Sequence, residues 1–416
     1  MKRARGTMST VVYIGGFELP DRNAAAQRVL NNARALRSLG YRVVLVGISH
    51  ARPYNRRLHP ADAGRADVEA WEIGYPTDRS DWFDHIRADW PVRALAEQGI
   101  IAPAEVAAVI CYNYPAVAQW RIAHLARKWG AAAVADCTEW YGSRPWTTPA
   151  NIVKNLDVPL RMRWVNRRMD GLITTSPFIT QFYRSAGLPM VEIPTLMDRE
   201  PTDASFGLAP GQPIPLFALA SGFSADARPE SIHDRIDWIL DLLGEATQRG
   251  AGFSLKIAGV TEYQYLSLFP HQRPLLDRLG DTIHFLGRRP RVEILQMLRA
   301  SAFAFVLRHE SRVTLAGFPT KYSEAVTYGT PVIINELPSV RAYHIENRTG
   351  FTILPQDRDD AVGKLCDILA MDHPQIMEMK LYCSECDAFT VEAFKAPLAA
   401  FMSDVTRKGS ACPSTD

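Results

Sequence analysis

The sequence predicts an α/β protein in which two doubly wound domains follow one another. Short apolar segments of strand length alternate with segments of helical periodicity, as in parallel sheets covered by helices. The alternation stops at a segment rich in proline, aspartate and glycine and then starts again. The 416 residues also suffice for two domains of ordinary size. We predict an N-terminal domain over residues 8–200, a linker over 201–215, a C-terminal domain over 216–388, a final helix over 389–405 and a disordered tail over 406–416.

In the first half of the chain, five apolar segments are predicted to be parallel strands. A helix is predicted over residues 23–39, because its apolar residues recur at helical spacing and Gly40 follows it. Residues 49–90 are polar and aromatic and show no clear periodicity. The predicted strands are residues 11–14, 41–48, 106–111, 132–135 and 171–174.

The second half repeats this organisation. A short helix is expected before its last strand, with Pro319 in the first turn and Gly329 just past the end. The predicted strands are residues 216–220, 254–257, 283–285, 302–307 and 331–334.

One stretch, AGFPTKYSEAVTYGTPVIIN over residues 316–335, combines the features of a phosphate site. Its helix begins beyond the carboxyl end of an apolar strand, where open α/β sheets bind ligands. The helix N-terminus offers N–H groups and partial positive charge, and Lys321 adds a full charge. Glu324 lies on the same helix face and can accept hydrogen bonds from a ribose diol. A nucleoside diphosphate requires both features. The alternative is an ordinary Lys–Glu ion pair on a surface helix.

The segment AGFPTKYSEAVTYGTPVI resembles the donor-binding segment of GT-B glycosyltransferases, specifically a family 4 branch (glycosyl transferases group 1) found among capsular and exopolysaccharide enzymes. The resemblance extends from Val11 to Phe401 and includes VVYIGGFELPDRNAAAQRVL, AVADCTEWYG and LKIAGVTEYQYL. It implies the GT-B architecture, in which two Rossmann-like doubly wound domains face a central cleft. It also implies transfer of a sugar from a nucleotide-sugar donor, with retention of configuration and without a metal.

The chain departs from the family at one position. Family 4 enzymes often carry Glu-x7-Glu, and counting back from Glu324 places Ala316 where the first acidic residue would stand. Glu324 therefore carries over as a ribose ligand, and the identity of the sugar stays open.

The predicted donor-binding residues are Gly16, Gly259, Thr320, Lys321 and Glu324. Lys321 and Arg308 are also predicted to be catalytic, because cations near the β-phosphate stabilise the leaving diphosphate. Gly16 would let the backbone of the first turn approach the same phosphates, or it simply makes a tight turn.

Two carboxylates, Asp136 and Glu139, follow a predicted strand and are expected to face the cleft. Either is a candidate to position or deprotonate the acceptor hydroxyl. The alternative for Glu139 is a helix cap or a structural ion pair. Trp140 and Tyr141 would stack on a sugar ring or pack under a loop.

The densest basic cluster, LRMRWVNRRM, suggests a surface contact. On a helix, Arg161, Arg163, Arg167 and Arg168 would surround Trp164, a pattern suited to an anionic membrane surface. The alternative is a solvated helix. No nucleic-acid motif accompanies the cluster.

Composition limits cofactors and location. Apolar residues make up 47% and charged residues 22%, with a formal net charge of +2, as in soluble globular proteins. Among six cysteines, Cys383 and Cys386 form a lone CxxC, which argues against zinc. We predict no metal, no cofactor and a cytoplasmic location, with peripheral association at the inner face of the cytoplasmic membrane as an open alternative.

The predicted function is transfer of a sugar from a UDP- or GDP-sugar to a lipid-linked or saccharide acceptor in surface polysaccharide assembly. Two alternatives remain at this stage. A sugar-nucleotide epimerase shares the architecture, and a non-catalytic nucleotide-sugar binding subunit is favoured by Ala316.

Overall fold

The computed structural model describes residues 8–20, 22–64, 67–140, 148–198, 212–221, 223, 227–229 and 232–409. The chain divides into two compact units. Unit 1 comprises Met1–Leu196, Ala316–Phe318 and Thr390–Asp416, and unit 2 comprises Met197–Leu315 and Pro319–Phe389.

The described residues form fourteen strands, numbered in chain order. They are β1 (Thr10–Gly15), β2 (Arg42–Ser49), β3 (His59–Pro60), β4 (Glu69–Gly74), β5 (Val106–Tyr112), β6 (Ala132–Cys137), β7 (Gly171–Thr174), β8 (Met190–Glu192), β9 (Ile214–Leu219), β10 (Phe253–Ala258), β11 (Ile283–Gly287), β12 (Phe303–Val306), β13 (Val332–Ile334) and β14 (Gly350–Thr352).

The α-helices of the described residues are likewise numbered in chain order. They are α1 (Ala24–Ser38), α2 (Arg79–His85), α3 (Trp90–Glu97), α4 (Ala116–Lys128), α5 (Pro149–Leu160), α6 (Pro177–Tyr183), α7 (Ile236–Gln248), α8 (Glu262–Leu268), α9 (Arg273–Leu279), α10 (Arg291–Ala300), α11 (Arg312–Ala316), α12 (Thr320–Thr327), α13 (Arg358–Leu369), α14 (His373–Glu385) and α15 (Val391–Gly409).

Unit 1 is built on an eight-stranded sheet in the order β3-β4-β2-β1-β5-β6-β7-β8. All neighbours are parallel except β3 and β4. Every residue of β1 and β5 is buried, because helices cover both faces of a central parallel strand. Helix α15 adds Leu398, Phe401, Met402 and Val405 to the core beneath α1.

Unit 2 contains a six-stranded parallel sheet in the order β11-β10-β9-β12-β13-β14. The chain proceeds outward from β9 to β10 and β11, and then returns to place β12 on the other side of β9. The direction of winding therefore reverses between β9 and β12. The carboxyl edge at such a switch point is where doubly wound sheets bind ligands.

These sheets confirm the predicted α/β, doubly wound fold. Each predicted strand is present, and no end differs from its predicted position by more than two residues. Asn23 caps α1 by accepting a hydrogen bond from the Ala26 N–H (2.9 Å). Gly40 and Gly329 both adopt positive φ just past a helix end, as expected.

Several elements were not predicted. Residues 49–90 contain β3, β4, α2 and α3, and β4 was missed because its sequence EAWEIG mixes charge with apolar residues near the sheet edge. The strands β8 and β14 have three residues each, of which only one is buried, so they lack the apolar run that marks the fully buried β13.

The predicted linker and tail also need adjustment. Residues 201–211 and 410–416 lie outside the described part of the chain. Residues 214–215, assigned to the linker, belong to β9, and residues 406–409, assigned to the tail, continue α15.

Candidate functional site

The carboxyl edge of the unit 2 sheet gathers side chains that are far apart in the sequence. Lys321 lies in the first turn of α12, and its side chain is only 15% exposed. Its Nζ donates to the carbonyl oxygen of Leu219 at the end of β9 (2.5 Å) and lies 3.3 Å from Ser221 Oγ. It also forms a buried ion pair with Asp234. Lys321 is therefore fixed at the switch point of the sheet.

Arg308 completes this group from the end of β12. Its Nε lies 3.5 Å from Asp234 Oδ1, and its side chain is largely buried. Asn335, which follows β13, holds the Arg308 backbone through two hydrogen bonds. Its Oδ1 accepts from the Arg308 N–H (2.8 Å), and its Nδ2 donates to the Arg308 carbonyl oxygen (3.0 Å). We call Asp234, Arg308 and Lys321 the cation cluster; it carries two positive charges and one negative charge.

The electrostatics of Asp234 follow from its two partners. Burial alone would raise the pKa of this carboxyl group. The charges of Lys321 and Arg308, with hydrogen bonds from Lys321 and Ser221, outweigh burial and lower the pKa to about 2. Asp234 is thus ionised at neutral pH and orients both cations.

Glu324, three residues after Lys321, turns toward a different partner. Its Oε1 lies 2.6 Å from Arg291 Nη1 at the start of α10, and its side chain is 6% exposed. Lys321 and Glu324 therefore do not form a surface ion pair with each other. Each pairs instead with a charged residue far away in the sequence. Thr320 is the first residue of α12, and Pro319, the N-cap residue, makes no side-chain capping hydrogen bond.

Gly259 occupies the turn after β10 at the same edge. Its φ is +93°, and a Cβ there would lie 2.1 Å from the carbonyl oxygen of Ala220. Its N–H is bonded to the carbonyl of Gly287 (2.8 Å). A glycine is therefore required for the backbone to pass close to the end of β9.

Asp136 does not face an open surface as predicted. Its carboxylate is buried at the end of β6 and forms an ion pair with Arg28 of α1 (2.9 Å). It also accepts a hydrogen bond from the Tyr13 hydroxyl. Arg28 donates in addition to the carbonyls of Ile193 (2.8 Å) and Pro194 (3.1 Å). Asp136 thus ties a helix to the sheet, and a carboxylate so enclosed is not placed to accept a proton from a ligand.

Unit 1 contains a cavity of about 500 Å³ on which two other predicted residues lie, Gly16 and Glu139. A Cβ at Gly16 would meet no atom within 4 Å. The wall is rich in rings and in polar side chains. Its further lining includes Asn23, His50, Tyr75, Trp82, His85, Tyr112, Asn113, Tyr114, Lys154, Asn155, Asp157 and Arg161.

The rings of this cavity form a continuous wall. His50 and Tyr75 stack with centroids 4.2 Å apart, and Trp82 meets Tyr75 edge-on at 5.6 Å. The Lys154 ammonium lies 5.3 Å from the Trp82 centroid. Aromatic faces and a polar rim of this kind suit a hydroxylated ring.

Three buried polar atoms of the wall have no hydrogen-bond partner among the described residues. They are His85 Nδ1, Tyr114 Oη and Arg161 Nε. Buried polar groups are normally paired, so these three atoms are exceptions within the wall. The sequence analysis missed His85 and Tyr114, since each is a single ring without a motif.

The histidine in this wall makes stability depend on pH. Burial lowers the pKa of His85 to about 4 from the ordinary 6.5. Between these values only the unfolded chain binds the proton, so the free energy of unfolding of unit 1 should fall as pH drops, by up to about 3 kcal/mol. Urea unfolding gives the free energy of unfolding at each pH. His85→Phe should lose this pH dependence, whereas His124→Phe, at an exposed histidine, should keep it. Equal slopes in all three proteins would contradict this assignment.

The predicted basic surface is only partly present. Arg161 is buried and donates to the carbonyls of Asn113 (2.5 Å) and Tyr114 (3.3 Å). Arg167 is partly buried and donates to the Phe182 carbonyl (3.1 Å). Arg163 and Arg168 are exposed. The cause of the error is local: residues 161–165 form a π-helical turn, which changes the facing of these side chains.

Two negative findings concern the described residues. None of their helices combines the length and apolar character needed to cross a bilayer. No three histidine, cysteine, aspartate or glutamate side chains among them are grouped so as to hold a metal ion.

The two residues predicted to stack on a sugar ring have different outcomes. Tyr141 lies outside the described part of the chain. Trp140 is buried against Phe182, with ring centroids 4.5 Å apart.

Two protein families match the chain. The Glycosyl transferases group 1 family matches residues 233–382, and the Glycosyl transferase 4-like domain family matches residues 23–196. Together these matches span most of both units. No curated protein sequence matches the chain.

Solved structures share the fold at low sequence identity. HepE of Anabaena, solved with UDP, is 13% identical over 95% of this chain and 99% of its own, with a TM-score of 0.62. Sucrose-phosphate synthase of Thermosynechococcus elongatus is 14% identical over 96% of this chain and 100% of its own, with a TM-score of 0.62. The lipopolysaccharide outer core galactosyltransferase WaaB is 13% identical over 94% of this chain and 99% of its own, with a TM-score of 0.58.

Proposed function

The chain belongs to the group 1 glycosyltransferases of GT-B architecture, and from this premise we propose that it transfers a sugar from a UDP- or GDP-sugar to a lipid-linked or saccharide acceptor in surface polysaccharide assembly. The observation that carries the proposal is the cation cluster at the switch point of unit 2. The acceptor would occupy the aromatic cavity of unit 1.

The donor diphosphate would lie against Lys321 and Arg308, next to the N-terminus of α12 and Thr320. Transfer breaks the bond between the anomeric carbon and the β-phosphate oxygen, so negative charge grows on the leaving diphosphate. Preorganised cations stabilise that charge without reorganising during the reaction. Asp234 holds Lys321 in place and leaves the cluster with one net positive charge.

The nucleoside would be oriented by Glu324. Its carboxylate, fixed by Arg291, has the acceptor oxygens that a ribose diol requires. Gly259, which has no side chain, would leave room for the donor where the backbone passes the end of β9. HepE of Anabaena, which shares this fold, was solved with UDP and with UDP-glucose, which supports a nucleotide-sugar donor.

The acceptor side of the proposal rests on the cavity in unit 1. Tyr75 and Trp82 offer ring faces for a sugar, and Glu139, which lines the same cavity, would take the proton of the attacking hydroxyl. Gly16 would admit a ligand close to the backbone. Retention and the absence of a metal requirement are proposed on the resemblance to family 4 enzymes.

The function is tested by measuring nucleoside diphosphate release from UDP-glucose, UDP-galactose and GDP-mannose, each with and without methyl glycosides as soluble acceptors. We expect release from one donor, accelerated by an acceptor. The variant Glu139→Gln should lose this acceleration and keep its affinity for the donor. Conversion of a donor into its epimer without any acceptor, or no release from any donor, would contradict the proposal.

A further inference from the structure

An exposed apolar surface runs along one helical segment of unit 1. Ile152, Leu156, Leu160 and Trp164 recur every four residues, and their exposed fractions are 39%, 61%, 42% and 39%. We call these four residues the α5 stripe. Exposed apolar side chains that form a contiguous row mark an interaction site, unlike the same residues scattered singly.

The backbone keeps this row on one side. In an α-helix, a step of four residues advances by about 40° beyond a full turn, so such a row normally drifts around the helix. Here α5 continues directly into the π-helical turn over Arg161–Val165. Because a π turn takes more residues than an α turn, it offsets the drift and returns Trp164 to the side of Leu156.

A second helix widens the surface. Trp120 of α4 is 40% exposed, and its ring centroid lies 6.2 Å from that of Trp164. Two neighbouring tryptophans with apolar faces and indole N–H groups are typical of positions at the boundary between lipid and water.

The charges around the stripe have one sign. Arg163 and Arg168 are exposed, and the Arg168 guanidinium lies 4.0 Å above the Trp164 ring. The two carboxylates of the segment are engaged elsewhere: Asp157 accepts from the Ala116 N–H (2.7 Å), and Asp170 pairs with Arg127 (3.0 Å). Helix α4 contains no acidic residue. An apolar row with a cationic border is complementary to anionic lipid.

We propose that the α5 stripe and Trp120 dock onto an anionic lipid membrane. The apolar side chains enter the boundary of the acyl region, while Arg163 and Arg168 contact lipid phosphates. A second copy of this chain fits less well, because a two-fold interface would bring these arginines toward their own copies. The inference deepens the proposed function, since a lipid-linked acceptor resides in such a surface.

Co-sedimentation with vesicles tests this surface on the full chain without donor or acceptor. We expect binding to vesicles of phosphatidylcholine with phosphatidylglycerol, weaker binding to phosphatidylcholine alone, and weakening by salt. The variant Leu156→Gln/Leu160→Gln should lose about tenfold or more in vesicle affinity, because two apolar side chains no longer enter the lipid. Leu381→Gln, at an exposed leucine of unit 2, is the matched control and should bind like wild type.

Three outcomes would overturn the proposal. These are equal binding to both kinds of vesicle, equal binding by the stripe variant, and a wild-type dimer in sedimentation that the stripe variant abolishes. UDP and GDP affinities are measured on the same samples. If the wild type binds a nucleotide but not the vesicles, only the proposed membrane surface is overturned. If the wild type binds neither UDP nor GDP, the proposed function is overturned.

Discussion

The variant Lys321→Met should lose about 10²- to 10³-fold in kcat/KM for the donor. This is the loss seen when one preorganised group that stabilises transition-state charge is removed. Methionine keeps the length of the side chain and removes only the charge at the end of β9. Initial rates of nucleoside diphosphate release, at saturating acceptor, provide the measurement. Lys256→Met, at an exposed lysine of the same unit, should leave kcat/KM unchanged.

Stability has to be separated from catalysis in this experiment. Lys321→Met leaves Asp234 buried with Arg308 as its remaining cation, and breaking a buried pair can cost several kcal/mol. The double variant Lys321→Met/Asp234→Asn removes both charges and should recover much of the lost stability. Recovery of activity along with stability would show that Lys321 has a structural role only.

The variant Arg28→Met should destabilise unit 1 by about 3–5 kcal/mol, because it leaves the buried Asp136 carboxylate without its cation. The carbonyls of Ile193 and Pro194 also lose a donor. Urea unfolding followed by circular dichroism measures the loss. Arg22→Met, which breaks the exposed Arg22–Glu18 pair (3.1 Å), should cost no more than about 1 kcal/mol.

A double-mutant cycle tests whether the two buried charges act together. Arg28→Met/Asp136→Asn should cost clearly less than the sum of the two single changes, since the second change removes the stranded charge. Strict additivity would contradict the assignment of Asp136 to a buried ion pair. It would reopen the role of Asp136 in binding.

The fold was predictable where a single local pattern decides the structure. The runs that form β1, β5 and β12 are almost wholly apolar because both faces of these strands are covered. Gly329 lies just past the end of α12 as predicted, whereas Pro319, predicted in its first turn, is the N-cap residue that precedes it. By contrast, β4 and the partly exposed strands β8 and β14 depend on sheet neighbours for their stability, so their sequences carry little signal.

The site was predictable only in part for a related reason. The position of Lys321 in the first turn of α12 is a local property. Its partner Asp234 is 87 residues away, and their contact depends on the order of β9 and β12 in the sheet. Asp136 was misjudged because Arg28, 108 residues earlier, reaches it across the sheet. The α5 stripe was missed because the arginines of the same segment dominated its pattern.

The central claim is that the cation cluster binds the diphosphate of the donor. Isothermal titration of wild type and Lys321→Met with UDP, GDP, uridine and guanosine tests this claim most directly. One diphosphate should bind the wild type much more tightly than its nucleoside, and Lys321→Met should remove most of that difference while leaving nucleoside binding unchanged. An undiminished difference between diphosphate and nucleoside in the folded variant would contradict the claim.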